Sequence, residues 1–178
     1  MVITKYTLPH PYLHLKVAVL SDIHDRPVEK AISATRAEKP DMIFVPGDLL
    51  TGHITKEAWD ADEWENKRPW KEPENAVGVL KKLAEIGPTY FRIGNHEASW
   101  NEVDIAFVKS LGAEVLNNRW VRRGHIVLGG LSSAKRYGLE KAQPEEERLL
   151  ISAGLANTAP IPRFFNPMEL VILEIGGL

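Results

Sequence analysis

Apolar positions along the chain fall into two kinds of block. Short, nearly continuous runs at 13–20, 42–45 and 89–93 are bounded by polar or turn residues, the pattern of strands buried on both faces. Between them the period lengthens to that of a helix. Val28, Ala31, Ile32 and Thr35 share one face after Pro27, whose fixed φ suits a first helical turn, and Lys39-Pro40 ends that helix. A second amphipathic helix covers 74–86 with Ala76, Val79, Leu80 and Leu83 facing inward, and Gly87-Pro88 stops it. A third covers 101–111, closed by Gly112, and a short strand follows at 114–116. Segments 119–122 and 125–128 read as a hairpin around Arg123-Gly124. The β-α-β order implies parallel strands joined by right-handed crossovers, hence an α/β layered domain. Its inward residues should include Val17, Val19, Ile43, Val45, Leu80, Leu83, Phe91 and Ile93.

Later the pattern is less regular. Gly129-Gly130-Leu131-Ser132-Ser133 ends the hairpin region, 135–147 is charged, and 149–151 and 170–175 are again strand-like around Pro160, Pro162 and Pro167. The long stretch 59–73 carries Trp59, Trp64 and Trp70 among acidic and basic residues. It reads as a surface excursion whose charge density leaves it the most mobile internal segment, or as a lid. Arg119, Arg122 and Arg123 read as solvated hairpin residues rather than a phosphate patch.

Three of the buried runs end in hard or borderline metal ligands. The first leads into Ser21-Asp22-Ile23-His24, the second into Pro46-Gly47-Asp48, the third into Gly94-Asn95-His96-Glu97. In an open α/β sheet the carboxyl ends of strands are where ligands bind. Alone, each motif reads as a helix cap or a turn. In this order, each at a strand end, they point to a metal site.

These three motifs resemble the first three of the calcineurin-like metallophosphoesterases, specifically the small bacterial type. The match runs continuously over 16–133, and 149–175 resembles the closing segment of such proteins. The resemblance implies a calcineurin-like phosphoesterase fold, layered β-sheets flanked by helices, in a single domain over 1–178. It implies hydrolysis of phosphomonoesters or phosphodiesters by a water activated between two divalent metals. Asp22 and His24 would serve the first metal, Asn95 the second, and Asp48 would bridge them. His96 would protonate the leaving oxygen or steady the phosphate, and Asp25 and Glu97 would orient the ligands. Such N and O donors suit Mn, Fe, Zn or Ni.

The family pattern also expects a strand ending in His and a later Gly-His-x-His turn, but no histidine follows His125. His53 reads as a surface turn residue. The chain therefore looks truncated by an internal deletion near 138–148. The expectation is one divalent ion held tightly, a weak second site and reduced turnover. The alternatives are a non-catalytic protein-binding scaffold or an inactive deletion product on the same fold.

Composition narrows the rest. The 178 residues suit one domain, and 44% hydrophobic with 26% charged residues is ordinary for a soluble chain. A net charge of -2 gives no basic patch for nucleic acid. With no cysteine there are no disulfides or thiolate zinc sites, which fits a cytoplasmic protein. No apolar run is long enough for a membrane span, and 1–16 lacks the form of a signal peptide. The expected partner is a phosphate-ester substrate. Neither its identity nor the oligomeric state can be read from sequence.

Overall fold

The computed structural model describes residues 1–50, 74–94, 96–97, 100–124, 126–130 and 168–176. The tryptophan-rich stretch 59–73, His53, Asn95, His125, the region 138–148 and the apolar run 149–151 lie outside the described residues.

The chain builds strand β1 (Val2–Leu8), β2 (Leu15–Val19), helix α1 (Glu29–Glu38), β3 (Met42–Val45), α2 (Glu74–Ile86), β4 (Thr89–Arg92), α3 (Glu102–Ser110), β5 (Ala113–Leu116), β6 (Arg119–Arg123), β7 (Ile126–Gly130) and β8 (Glu169–Ile175). Six strands form one sheet in the order β1-β8-β2-β3-β4-β5, and β6-β7 form a separate antiparallel pair. The strands β2, β3, β4 and β5 are parallel neighbours, whereas β8 runs antiparallel to β2 and parallel to β1. This is a mixed α/β fold with a mainly parallel sheet flanked by helices, as expected.

Strand alternation divides the core. Ala18, Ile43, Phe91, Val115 and Ile172 meet the helices on one face, with Ile32 of α1, Leu80 and Leu83 of α2 and Val108 of α3. On the other face Val17, Met42, Tyr90 and Leu116 pack under Val121 and Leu128 of the hairpin. Beside the hairpin that face carries an apolar cavity of about 560 Å³ against Leu15, Val17, Val19, Phe44, Leu128 and Leu173. Burial on both faces explains why β2 to β4 read as continuous apolar runs.

The inward residues predicted for α1 and α2 are all buried. Asn101 caps α3: its side chain accepts from the N–H of Val103 (2.8 Å) and Asp104 (3.3 Å), while Asp104 accepts from the Asn101 N–H. Such a capping box contributes about 1 kcal/mol.

Several sequence expectations are corrected. Residues 1–16 hold a full strand, β1, at the sheet edge. Helix α1 starts at Glu29, two residues after Pro27, and β2 is shorter than 13–20 at both ends. Val19 faces the cavity side and is only partly buried. Gly129 and Gly130 lie inside β7 rather than after it, and the Trp120 indole lies against Gly129 where a Cβ would stand. Arg123 is half-exposed, yet it donates to the Tyr90 hydroxyl (2.9 Å) and pairs with Glu114 (2.5 Å), tying the hairpin to β4 and β5.

Candidate metal centre

Because β2, β3 and β4 are adjacent and parallel, their carboxyl ends open on the same edge of the sheet. The loops after them bring donor atoms of His24, Asp48 and His96 within 4.8 Å of one another. The His24 and His96 rings meet edge to face, centroids 4.6 Å apart. Asp22 joins from the same loop as His24, its Oδ1 3.8 Å from His24 Nε2.

The loop after β3 is the scaffold for the other two. His24 N–H donates to the Asp48 carbonyl (3.0 Å) and Asp25 N–H to the Leu49 carbonyl (2.9 Å). The His24 ring contacts the Leu50 carbonyl through Nδ1 (3.1 Å). A carbonyl only accepts, so Nδ1 carries a proton, and it is in the neutral ring that Nε2 keeps a lone pair facing Asp22 and the site. From the other side, His96 N–H donates to Asp48 Oδ1 (3.3 Å). Glu97 is fully buried and accepts three main-chain bonds. Its Oε2 takes the N–H of Asp48 (3.0 Å) and Gly94 (2.9 Å), and its Oε1 takes that of Leu50 (3.0 Å).

Closeness of the loops depends on two glycines. Gly47 lies at φ +124°, and a Cβ there would stand 2.7 Å from the Gly94 Cα. A Cβ on Gly94 would collide with Asp48 Oδ1, its backbone N (2.5 Å) and Glu97 Oε2 (2.8 Å). Four non-glycine residues of the site are left-handed: Asp22, His24, Asp25 and Asp48 at φ 50 to 55°. That conformation costs roughly 1–2 kcal/mol per residue, and such strain collects at functional sites held by their surroundings.

Electrostatics follow from this packing. Burial opposes charge on His24. The contact with Asp22, the Leu50 carbonyl and the charges of Asp48 and Asp22 together outweigh that, so its pKa is raised above 6.5. Burial pushes the Glu97 carboxyl up to about 7 despite its three N–H bonds, with the Asp48 charge adding to the push. Ser21 donates its hydroxyl to Asp22 Oδ2.

Of the residues singled out from sequence, Asp22, His24, Asp48 and His96 are thus brought together, with Asp25 and Glu97 in the loops that carry them. Asn95 lies between the described Gly94 and His96. Sequence reading missed Ser21, signalled only by its place beside Asp22, and the Leu50 peptide, which no side-chain pattern can signal. Two imidazoles and carboxylates form a borderline donor set, which fits a divalent transition metal.

The sequence profile of the calcineurin-like phosphoesterase family matches residues 15–166. A Caenorhabditis elegans protein that bears a metallophosphoesterase name is 28% identical over 125 residues, 66% of this chain and 22% of that protein. A Campylobacter jejuni protein named an uncharacterized metallophosphoesterase is 25% identical over 135 residues, 70% of this chain and 31% of that protein. The matches thus span less than a third of the length of these relatives. One solved structure superposes with a TM-score of 0.48 at 14% identity, over 63% of this chain and 50% of that one.

Proposed function

From the premise that the chain belongs to the calcineurin-like phosphoesterase family, we propose that it hydrolyses phosphate esters, mono- or diesters, at a divalent metal centre built on Asp22, His24, Asp48 and Asn95, with His96 as the catalytic side chain. The observation that carries the reading is the clustering of His24, Asp48 and His96 donor atoms within 4.8 Å. When bound, such an ion polarises a phosphoryl oxygen and eases ionisation of a water. The chain's own residues do the rest. The Leu50 carbonyl holds the His24 ring through Nδ1, so Nε2 would be the atom offered to the ion. Asp48 offers a carboxylate shared between two positions. His96 holds the phosphate and gives a proton to the leaving oxygen.

We read one ion as tightly held and a second, on Asp48 and Asn95, as weak. The supporting feature is the absence of any histidine after His125, where the family pattern expects further ligands. Turnover should then be reduced, because two ions clamp the attacking and leaving oxygens better than one. The proposed identity of the ion stays within Mn, Fe, Zn and Ni. Among the described residues no helix is long and apolar enough to cross a membrane, and a cysteine-free sequence is in keeping with a reducing cytoplasm.

A second reading makes His96 itself a ligand, favoured by its inclusion in the same 4.8 Å cluster. The experiment is Mn titration by calorimetry on the wild type, Asp48→Ala and His96→Gln, with turnover of a nitrophenyl phosphodiester alongside. Turnover lost at unchanged affinity makes His96 the proton donor, whereas affinity lost makes it a ligand. No Mn uptake and no turnover in the wild type would leave the non-catalytic scaffold standing instead.

A further inference from the structure

Glu97 is a fully buried carboxylate that lies against the site yet stands outside the donor cluster of His24, Asp48 and His96. All three of its main-chain donors belong to the two loops that meet there: Asp48 and Leu50 from the loop after β3, and Gly94 from the loop after β4. The contact is backbone on backbone, since Gly47 and Gly94 leave no room for a Cβ between the loops. Asp48 is left-handed at φ 54°, a posture that persists only where neighbours over-determine it. Its N–H is held by Glu97, its carbonyl takes the His24 N–H and its Oδ1 takes the His96 N–H.

We propose that Glu97 is a positioning residue, a clasp that holds the Asp48 peptide in its left-handed posture and so aims the Asp48 carboxylate into the donor cluster. This rests on the metal-site reading above. The demand on Glu97 is geometric. Two acceptor oxygens must meet three N–H groups at once, and one oxygen must serve both loops. Glutamine keeps the length but turns one oxygen into a donor, so at least one N–H loses its acceptor. Aspartate keeps the charge but is one methylene too short to span both loops.

The test compares wild type, Glu97→Gln, Glu97→Asp and, as a destabilised control in the core near the end of α3 that leads into β5, Val108→Ala. Two quantities are read: Mn affinity by calorimetry, and amide hydrogen exchange at Asp48, Leu50 and Gly94 in the metal-free chain. In the wild type the three amides should be protected as strongly as those of β3 and β4. In both Glu97 variants they should exchange at least ~10-fold faster while the β3 and β4 amides hold, and Mn affinity should fall ~10–100-fold, as for other partners of ligands. Val108→Ala should lower stability and leave Mn affinity alone. Full affinity in Glu97→Asp would make the role one of charge and overturn the clasp. So would affinity within about twofold of wild type in Glu97→Gln, or wild-type amides as unprotected as exposed ones. If the wild type takes up no Mn, the metal reading falls and the exchange rates alone decide the clasp. If Glu97→Gln does not fold, Glu97→Asp and the wild-type exchange rates decide it by the same criteria.

Discussion

Replacing Gly94 by alanine adds one methyl group at the tightest point of the site. Gly94 is not among the glycines at positive φ, so alanine meets no conformational penalty there and the whole effect is steric. The added Cβ would collide with Asp48 Oδ1, stand 2.5 Å from the Asp48 N and 2.8 Å from Glu97 Oε2. A side-chain tip can swing aside, but the Asp48 N belongs to the backbone and moves only if the loop after β3 moves. Overpacking a filled interior costs about 1–3 kcal/mol. Weakening a bond from a main-chain N–H to a buried carboxyl adds about 1 kcal/mol. The expected loss is therefore about 2–4 kcal/mol, a fall in Tm of roughly 5–15 °C for a chain of this size. Mn affinity should drop at least ~10-fold, because moving the loop turns Asp48 away from His24 and His96. Urea unfolding of the metal-free variant and calorimetric titration read the two effects separately. Stability within about 0.5 kcal/mol of wild type together with unchanged Mn affinity would refute the close approach of the loops, and with it the account of how Asp48 is aimed.

Gly78 makes the opposite case: it lies inside α2 with nothing within 4 Å of an added Cβ, so Gly78→Ala should stabilise by about 0.5–1 kcal/mol in the same urea assay, with no change in Mn affinity. Metal-free stability should fall as pH rises from about 5 to 7. Glu97 titrates near 7 when folded against 4.5 for the ordinary group, so in that window the folded chain keeps a proton that the unfolded chain has released. The raised pKa of His24 adds a contribution of the same sign, present below 6.5 and lost as pH rises through its folded value. The sum is on the order of a few kcal/mol, and melts in EDTA at pH 5 and pH 7.5 that coincide, or rise with pH, would contradict it. Mn affinity should instead climb between pH 6 and 8, since His24 must release its proton before Nε2 can bind a cation; a pH-independent affinity would place His24 outside the ligand set.

What sequence revealed of this fold follows from where each element is buried. Met42–Val45 and Glu74–Ile86 were readable to the residue, because one is enclosed on both faces and the other presents a single apolar stripe. Strand β1 was not, because most of it is exposed and its partner is β8, the last strand of the chain. Neither an apolar alternation nor a local turn announces such an edge strand. Gly129 looked like a strand end, yet it is where the Trp120 ring lies against the strand. At the site the identities of Asp22, His24, Asp48 and His96 were visible as motifs. What holds them was not: the Leu50 carbonyl, the N–H groups that meet Glu97 and the left-handed turns at four non-glycine residues are properties of backbone. Gly47 and Gly94, each inside one of those motifs, are the trace of that contact in the sequence.

Strand order also explains why one carboxylate stands at the centre. Neighbouring strands lie about 4.8 Å apart, so the ends of β2 and β4, separated by β3, are set about 10 Å apart by the sheet itself. The His24 and His96 rings nevertheless sit 4.6 Å from each other. The two outer loops must therefore lean inward over β3, and the hydrogen bonds record it: His24 N–H reaches the Asp48 carbonyl from one side, His96 N–H reaches the Asp48 carboxylate from the other. A residue on the middle strand is the one equidistant from both flanks, so a carboxylate that reaches both imidazoles belongs on the loop after β3 rather than on either neighbour. Asp48 occupies that place. Its side chain is half-buried, close to both imidazoles, and its peptide anchors the two loops that carry them. Loss of a flanking histidine would remove one donor from the cluster, but a shift of the Asp48 peptide would spoil all of them together. That asymmetry is why a buried glutamate and two glycines, none of which need touch an ion, should govern metal affinity as strongly as the ligands do.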